Sequence, residues 1–476
     1  MRVRPFVTGP IRAALLVGAL ALGSAAPAAG SPPPATRPAP ADIKDQLAAI
    51  PGMQVTEGTG TGGYRLFRLV YRQPVDHGDP SRGTFGQRAT LLHKDVQRPM
   101  VLHTSGYWLM GDNRSEPAAI VDGNQLSTEQ RFFENSTPSP KNWADLSIAQ
   151  AAGDHHRFVT ALKPIYAAKW LSTGASKGGM TSVYHRRFHP GDIDATIAYV
   201  APNDVDNDED SAYTRFFAAV GDATCRQRLT AVMKAALGPK RTALAAKVAA
   251  RAQSAGETFD QTTGSADASL ELAVVDGVYA FWQYKLASDC ARVPAGTASD
   301  TAIYQWLDGT AGFANYTDQG GARFVTYYYQ AGTQLGYPVY DLPELAGLLK
   351  YPDLAAPRTY VPRSIPMPAF DRAAMPDIDG WVRESGTRMM FVYGQNDPWS
   401  AEPFRVGSGN DAFVYEVKGG NHGATIGGLA AADRSAAQAA VRRWAGVSLS
   451  TRSAFIPGLD GWTPLTDDPR RQGRTE

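Results

Sequence analysis

The segment Gly174-Ala175-Ser176-Lys177-Gly178 decides how this chain is expected to fold. It matches the pattern G-x-S-x-G, in which a strand passes through a tight turn into a helix and exposes a serine. Lys169-Trp170-Leu171 leads into the turn as a predicted strand, and Met180 to Phe188 follows as a predicted helix. A glycine-rich loop with an incidental serine is the alternative interpretation, since both residue types are common. The flanking strand and helix favour the elbow.

Short apolar strands and helices alternate on both sides of this turn. The predicted elements are strands at Leu66 to Val70, Ala89 to Leu92, Met100 to His103, Asp194 to Val200, Arg388 to Tyr393 and Phe413 to Val417, and helices at Asn142 to Thr160 and Ala431 to Trp444. Such alternation predicts a layered α/β domain with a parallel sheet.

The composition changes after Asp204. Residues 211–290 are rich in Ala, Leu, Lys and Arg at helical spacing, and the aromatic stretch Phe324 to Tyr329 follows. Strand and helix patterns return beyond about residue 350. We therefore predict an α/β core in two parts, 51–205 and 350–476, interrupted by a mostly helical cap at 206–349.

The N-terminus has the layout of a secretory signal peptide. Three arginines precede the apolar stretch Ala13 to Leu22, and Ala26-Pro27-Ala28 supplies small residues at the cleavage position. A membrane anchor, the alternative, needs about 20 apolar residues. We predict a signal peptide at 1–28, a Pro-rich leader or prosegment at 29–50, and a secreted, extracellular protein.

Charge and cysteine content exclude several classes of function. The 47 Lys and Arg residues nearly balance the 46 Asp and Glu residues, so we expect no nucleic-acid partner and no stable membrane association. Two cysteines cannot form a thiolate metal cluster. In an exported chain, Cys225 and Cys290 are expected to form a disulfide worth about 4 kcal/mol. A monomer is expected.

A serine nucleophile needs an adjacent base. In the α/β-hydrolase order Ser…Asp/Glu…His, that base follows Ser176. His185 and His189 lie on the helix that leaves the elbow and cannot fold back over Ser176, which leaves His422. It lies in Gly419-Gly420-Asn421-His422-Gly423, directly after a predicted strand. A surface or core histidine is the alternative.

Asp397 is the candidate for orienting that imidazole. It follows the strand Arg388 to Tyr393, in Gly394-Gln395-Asn396-Asp397-Pro398-Trp399. A carboxylate there would stabilise the imidazolium that forms during catalysis. An aspartate in such a turn is often only a turn former, but the order Ser176, Asp397, His422 favours a catalytic triad.

The remaining parts of the site are assigned by position. An oxyanion hole needs the backbone amide of the residue after the nucleophile, Lys177, and one from the loop after an earlier strand. Ser105-Gly106-Tyr107 occupies that loop, and we assign Tyr107, with Gly106 as the alternative. His185 and His189 have metal-ligand spacing, but Arg186 replaces the glutamate of the zincin motif. We expect neither a metal nor a cofactor.

An acidic run follows the strand next to the elbow. Its members are Asp204, Asp206, Asp208, Glu209 and Asp210. Such runs are most often solvated loops, although a carboxylate in this place can reach a bound ammonium group.

These motifs resemble those of a known family. Residues 174–180, 394–399 and 420–422 resemble the secreted bacterial prolyl tri/tetrapeptidyl aminopeptidases, which are serine peptidases. More distantly, the chain is similar to the Pro-X carboxypeptidase and dipeptidyl peptidase group at residues 73–77, 84–88, 129–133 and 329–330. Gln130 departs from that group, whose members often carry His there. The resemblance implies an α/β-hydrolase core with a helical cap, and release of tri- or tetrapeptides from free N-termini, preferably after proline.

Such an activity needs two further features. An aromatic pocket would bind proline, and the candidates are Tyr107, Trp108, Trp282, Tyr327, Tyr328 and Trp399. A carboxylate would bind the free amine, with Glu129 as the first candidate and Asp204 as the second. Core packing is the alternative for each aromatic residue. A lipase or esterase with the same triad, a Pro-X carboxypeptidase and a non-catalytic binding protein remain alternative functions.

Overall fold

The computed structural model describes residues 41–451 and 454–469. The predicted signal peptide and the part of the predicted leader before residue 41 lie outside the described residues. Within the described part of the chain, none of the helices combines the length and the apolar character of a membrane span.

A nine-stranded sheet runs through the described residues, in the order β1-β2-β3-β5-β4-β6-β7-β8-β9. The first three strands and β5 pair antiparallel, and from β5 to β9 all pairs are parallel. The strands are β1 (Met53–Thr61), β2 (Tyr64–Pro74), β3 (Thr84–His93), β4 (Met100–Thr104), β5 (Asn124–Thr128), β6 (Trp170–Ala175), β7 (Ala195–Tyr199), β8 (Met389–Gly394) and β9 (Phe413–Val417).

Helices cover both faces of the parallel strands. Those of the core are α1 (Ile43–Ala48), α2 (Glu116–Val121), α3 (Ile148–Leu162), α4 (Lys177–Phe188), α11 (Ala374–Glu384) and α12 (Ala431–Trp444). On one face, Met180 and Val183 of α4 pack with Ile378 of α11. On the other, Val441 of α12 packs with Ala118 of α2.

The strand order identifies the fold class. β4 lies between β5 and β6, the antiparallel strands β1 to β3 precede the parallel series, and the serine turn follows strand β6. This is the α/β-hydrolase arrangement, so the predicted fold class is confirmed. Parallel strands end at one edge of the sheet, which brings the loops after β4, β6, β7, β8 and β9 together.

A helical segment is inserted between β7 and β8. Its helices are α5 (Ser211–Ala219), α6 (Ala223–Leu237), α7 (Arg241–Ala255), α8 (Ala266–Tyr284), α9 (Asp300–Ala311) and α10 (Val325–Gln330). Leu229, Leu244 and Leu270 are buried in one apolar cluster that also holds Tyr107 and Trp399 of the core. The predicted disulfide is present: Cys225 on α6 is bonded to Cys290, with Cα atoms 5.3 Å apart.

Two segments have structure that the sequence did not predict. Residues Ile43–Ala48 of the predicted leader or prosegment form α1, and its Ile43 and Leu47 are buried in the same cluster as Phe67; the end of the leader stays a prediction. The helix expected from Asn142 begins only at Ile148. The reason is local: the Ser147 side chain accepts the Gln150 amide and caps the helix there.

Candidate active site

Ser176 occupies a strained turn between β6 and α4. Its φ of 53° and ψ of −127° lie outside the regions that side chains usually adopt. The Ser176 amide donates to the Tyr199 carbonyl of β7 at 2.9 Å, which holds the turn against the sheet. The flanking glycines are required: a Cβ at Gly174 would lie 2.4 Å from the Gly178 carbonyl oxygen, and one at Gly178 would lie 2.3 Å from that of Thr104. The predicted elbow is present.

Asp397 and His422 meet at the carboxyl ends of β8 and β9. His422 Nδ1 lies 2.8 Å from Asp397 Oδ2, and both side chains are fully buried. Asp397 also accepts the Ser400 hydroxyl at 2.9 Å and the Trp399 amide at 3.2 Å. These bonds fix the carboxylate, which in turn fixes the ring. His422 Nε2 makes no hydrogen bond to any described residue, Ser176 included.

The loop that carries His422 has two further supports that the sequence analysis missed. Glu116 accepts the amides of Ile426 and Gly427 and the hydroxyl of Tyr199. Its burial raises its pKa, and these three hydrogen bonds oppose that rise. The His422 amide donates to the Gln283 carbonyl of α8 at 3.2 Å. The inserted helices therefore help to hold the imidazole loop, and no motif in the sequence pointed to either residue.

The loop after β4 packs directly on the elbow. Gly106 has a φ of +74°, and a Cβ there would lie 2.5 Å from the Gly178 nitrogen. The Tyr107 amide is directed at Ser105 Oγ over a long 3.3 Å. Lys177 is the first residue of α4, where backbone amides have no acceptor within the helix. Both predicted oxyanion donors thus lie on backbone segments in contact with each other.

Five aromatic rings form a continuous row from His422 to the loop after β4. Trp399 lies 6.5 Å from the His422 ring, and Tyr337 lies 6.2 Å from Trp399. Tyr328, Tyr327 and Tyr107 follow at successive centroid distances of 5.9, 5.1 and 5.9 Å. We call Tyr107, Tyr327, Tyr328, Tyr337 and Trp399 the aromatic arc. It is apolar, buried and next to the imidazole.

Three acidic side chains gather beside this arc, between the loops after β7 and β8. Asp204 is 4% exposed, and neither of its carboxylate oxygens has a hydrogen-bond partner among the described residues. Burial, and then the charges of Asp210 and Glu402, raise the pKa of Asp204 to about 8. A Cβ at Gly336, the neighbour of Tyr337, would lie 2.2 Å from Asp204 Oδ2. We call Asp204, Asp210 and Glu402 the acidic group.

The other two members are shifted in the same direction. Burial raises the pKa of Asp210 to about 6 and that of Glu402 to about 7, with neighbouring carboxylates adding to both shifts. The Tyr337 amide lies close enough to Asp204 to oppose the rise in its pKa. This amide donates its hydrogen bond to Asn207 Oδ1, however, and not to Asp204. The negative charges of the acidic group are therefore only partly balanced by hydrogen bonds, and a bound cation would reduce the repulsion among its three carboxylates.

Comparison with known proteins agrees with this geometry. The family model for PS-10 peptidase S37 matches residues 36–454. This chain belongs to the peptidase S37 family. A prolyl tri/tetrapeptidyl aminopeptidase of Streptomyces mobaraensis is 52% identical over 442 residues, which cover 92% of this chain and 91% of that protein. The chain is accordingly a serine peptidase, and the family resemblance drawn from its motifs is confirmed.

Solved structures are more remote from this S37 peptidase. A proline iminopeptidase of Mycobacterium smegmatis is 13% identical, with 82% of this chain and 99% of that chain covered and a TM-score of 0.36. Carboxyl esterase 2 of Tuber melanosporum is 10% identical, with 82% and 89% covered and a TM-score of 0.33. The fold assignment rests on the strand order instead.

Glu129, the first candidate for binding an amine in this S37 peptidase, is held by other groups. Its Oε1 accepts the Ser136 hydroxyl at 2.8 Å. Its Oε2 accepts the Leu109 amide at 3.3 Å and lies 3.7 Å from Arg88. Burial raises the pKa of Glu129, and all three of these partners oppose the rise. Its carboxylate therefore joins the loops after β4 and β5.

Two of the aromatic residues proposed for the proline pocket, Trp282 and Trp108, are not members of the aromatic arc. Trp282 packs on Phe281 at 5.2 Å and against Gly221, outside the aromatic arc. Trp108 packs on Tyr107 at the end of the arc.

A histidine cluster lies at the far end of α4. Donor atoms of His156, His189 and Asp192 come within 4.8 Å of one another. However, Asp192 already accepts hydrogen bonds from His156 and His185 at 2.9 Å each. The cluster is explained by these bonds, and the expectation of no metal stays a prediction.

Proposed function

We propose that this chain is a secreted serine exopeptidase that releases tri- or tetrapeptides from free N-termini, preferably after proline. The observation that carries the proposal is the buried Asp397–His422 pair, whose Nε2 has no partner among the described residues, together with the strained serine turn at the same edge of the sheet. The name of the 52% identical relative, a prolyl tri/tetrapeptidyl aminopeptidase, supports the same specificity.

Ser176, His422 and Asp397 form the proposed triad. Ser176 Oγ attacks the carbonyl carbon of the scissile bond while His422 Nε2 takes the hydroxyl proton. Asp397 keeps the proton on Nδ1 and stabilises the imidazolium. In unliganded enzymes the contact between nucleophile and base is often long and tightens when substrate binds. The absence of a Ser176–His422 hydrogen bond is compatible with this role.

The oxyanion of the tetrahedral intermediate needs donors that are already in place. The amides of Lys177 and Tyr107 are the proposed donors. When the intermediate collapses, the C–N bond breaks and His422 gives its proton to the leaving amine. Water then attacks the acyl-Ser176 ester with His422 again as base, which releases the peptide acid and restores the hydroxyl.

The aromatic arc is the proposed site for proline. A pyrrolidine ring buries most of its surface between flat aromatic side chains, and the arc begins 6.5 Å from the His422 ring. Trp399 is the member that joins the arc to the triad, because it follows Asp397 by two residues and donates its amide to that carboxylate.

Asp204 is the proposed acceptor for the substrate's free amine. A buried carboxylate without partners is costly unless a ligand supplies the opposite charge. An ammonium group would do so, and Asp210 and Glu402 would add to the attraction. Because an extended residue spans about 3.3–3.6 Å, the reach from Ser176 to this acceptor decides whether three or four residues are released.

The alternative functions require different charges in the substrate-binding site. A Pro-X carboxypeptidase binds a C-terminal carboxylate, which the acidic group would repel. A lipase or esterase needs no charged acceptor at all. The decisive substrates are a proline-ending tripeptide anilide and its N-acylated form. We expect rapid hydrolysis of the first and only slow hydrolysis of the second; hydrolysis of acyl esters alone would reject the exopeptidase.

Secretion is part of the proposal. The basic and apolar pattern of residues 1–28 supports export, and the Cys225–Cys290 disulfide is compatible with an oxidising compartment.

The triad has its own test. Ser176→Ala should abolish turnover and labelling by a fluorophosphonate. Asp397→Asn should reduce kcat by about 10⁴-fold, because the imidazole is then held in the wrong tautomer. Asp377→Asn, at an exposed carboxylate paired with Arg187, is the matched control and should keep full activity. Wild-type activity in Asp397→Asn would remove Asp397 from the triad.

A further inference from the structure

The side chain of Lys177, the residue after the nucleophile, is buried without a counter-charge among the described residues. Lys177 follows Ser176 directly and is 3% exposed. Its Nζ donates to the Gly106 carbonyl at 2.8 Å, and within the described part of the chain it forms no ion pair with a carboxylate. Lysine is rarely buried to this degree without a partner. The position is therefore unusual and calls for a role.

The hydrogen bond from Lys177 controls a particular peptide group. The Gly106 carbonyl and the Tyr107 N–H belong to the same peptide unit, which is planar and trans, so they point in opposite directions. An ammonium group that holds the carbonyl on one side fixes the direction of the N–H on the other. In the unliganded structure that N–H is directed at Ser105 Oγ over a long 3.3 Å, a contact that an oxyanion would replace. It also polarises the unit, which makes the N–H a stronger donor.

We propose that the Lys177 side chain is a positioning residue for the oxyanion hole. It orients and polarises the Gly106–Tyr107 peptide, while the Lys177 amide supplies the other donor, so one residue fixes both halves of the hole. This inference rests on the proposed function, because it assigns a task within the same hydrolytic reaction. Close packing of Gly106 on Gly178 holds the loop from the other side.

Aromatic rings and buried amide groups, and no carboxylate among the described residues, surround the Lys177 side chain. Nζ lies 5.6 Å from the Tyr107 ring centre and 5.5 Å from that of Phe133, within range of cation–π attraction. Lys177 also lines a small cavity with Gln130 and Gln330. The side-chain oxygens of both glutamines are buried and have no partner among the described residues. Aromatic faces and amide dipoles thus take the place of a carboxylate.

Burial, and no neighbouring charge among the described residues, shifts the pKa of the Lys177 side chain. Burial alone lowers the pKa of Lys177 to about 7. His155 of α3 is the titratable group whose pKa responds to Lys177; it is lowered to about 3, chiefly by burial, so the ring is neutral. Tyr184, which lines the same cavity, has a pKa that burial raises, so it is neutral too. Above about pH 7 the amine loses its charge, and its hold on the Gly106 carbonyl weakens.

The test measures oxyanion stabilisation without the substrate's amine. The rate of Ser176 labelling by an uncharged fluorophosphonate is followed from pH 5 to pH 9 in wild type, Lys177→Met and Thr181→Val. Removing one oxyanion donor costs about 10²–10³-fold, and a donor that is only misdirected costs less. In wild type, the labelling rate should decline as the pH rises through about 7, because the Lys177 amine loses its charge. Lys177→Met should label roughly ten- to a hundredfold more slowly than wild type at pH 6 and should not show this decline.

Thr181→Val alters the wall of the same cavity but leaves the Lys177–Gly106 bond, so it should keep the decline. If Lys177→Met does not fold, Lys177→Gln keeps a neutral donor and should label at an intermediate rate, again without the decline. Labelling of Lys177→Met at the wild-type rate, or an unchanged decline, would overturn the role. A folded wild-type protein that is not labelled at all would instead contradict the proposed function.

Discussion

Glu129 and Asp204 are two buried carboxylates on the same edge of the sheet, and they differ in what surrounds them. Glu129 follows β5 and is 1% exposed; Asp204 lies beyond β7 and is 4% exposed. Glu129 accepts hydrogen bonds from Ser136 and Leu109, whereas neither oxygen of Asp204 has a partner among the described residues. The two carboxylates are similarly buried, but their surroundings suit two different roles. Glu129 joins loops, while Asp204 has no hydrogen-bond partner among the described residues, as its proposed role of amine acceptor requires.

The largest effect expected from this pair of carboxylates is on activity, in Asp204→Asn. Truncating one partner of a buried charge pair costs about 2–5 kcal/mol, which is roughly 30- to several-thousand-fold. We expect kcat/KM for a proline-ending tripeptide anilide with a free N-terminus to fall by that factor. The slow hydrolysis of its N-acylated form should not change, because that substrate has no ammonium group.

Glu129→Gln is the matched control for this comparison. It removes the same charge from an equally buried site that has partners. Its activity can fall through a displaced loop after β4, but the ratio of kcat/KM between free and acylated substrate should stay at the wild-type value. If that ratio falls in Glu129→Gln and not in Asp204→Asn, then Glu129 is the amine acceptor and Asp204 is not.

The same comparison shows where sequence reasoning ends. The order Ser176, Asp397, His422 and the strand before each residue were readable, since the carboxyl ends of parallel strands meet at one edge. The choice between Glu129 and Asp204 was not readable. It depends on whether Ser136, Leu109 and Arg88, from three other segments, reach the carboxylate, and no local pattern encodes such contacts. For the same reason Glu116, which supports the His422 loop, gave no signal.

A smaller effect is expected on stability, and it depends on pH. The folded-state pKa of Asp204, about 8, lies above its ordinary value. The folded protein therefore binds more protons than the unfolded chain, and stability is lost as pH rises through that interval. Asp204→Asn cannot lose this proton. We expect its Tm to match the wild type near pH 4 and to exceed it by about 2–4 °C at pH 9.

Thermal unfolding at pH 4, 7 and 9 checks this expectation. Glu129→Gln should behave in the opposite way and lower Tm at neutral pH, since Ser136 and Leu109 lose part of their hydrogen bonding. A Tm difference between Asp204→Asn and wild type that does not vary with pH would show that Asp204 is compensated in the folded protein.

The smallest effect separates the members of the acidic run. After burial, Asp210 is the largest cause of the raised pKa of Asp204, so Asp210→Asn should lower that pKa and reduce competition from protons. It also removes one charge that attracts the substrate's ammonium group. The two consequences oppose each other: kcat/KM should rise about threefold at pH 6, where protonation of Asp204 is limiting, and fall slightly at pH 9. Asp208→Asn, at an exposed carboxylate that is paired with Arg372, should change neither value. If both variants act alike, Asp204 responds to the charge of the whole loop, and its contrast with Glu129 is not a property of the buried group.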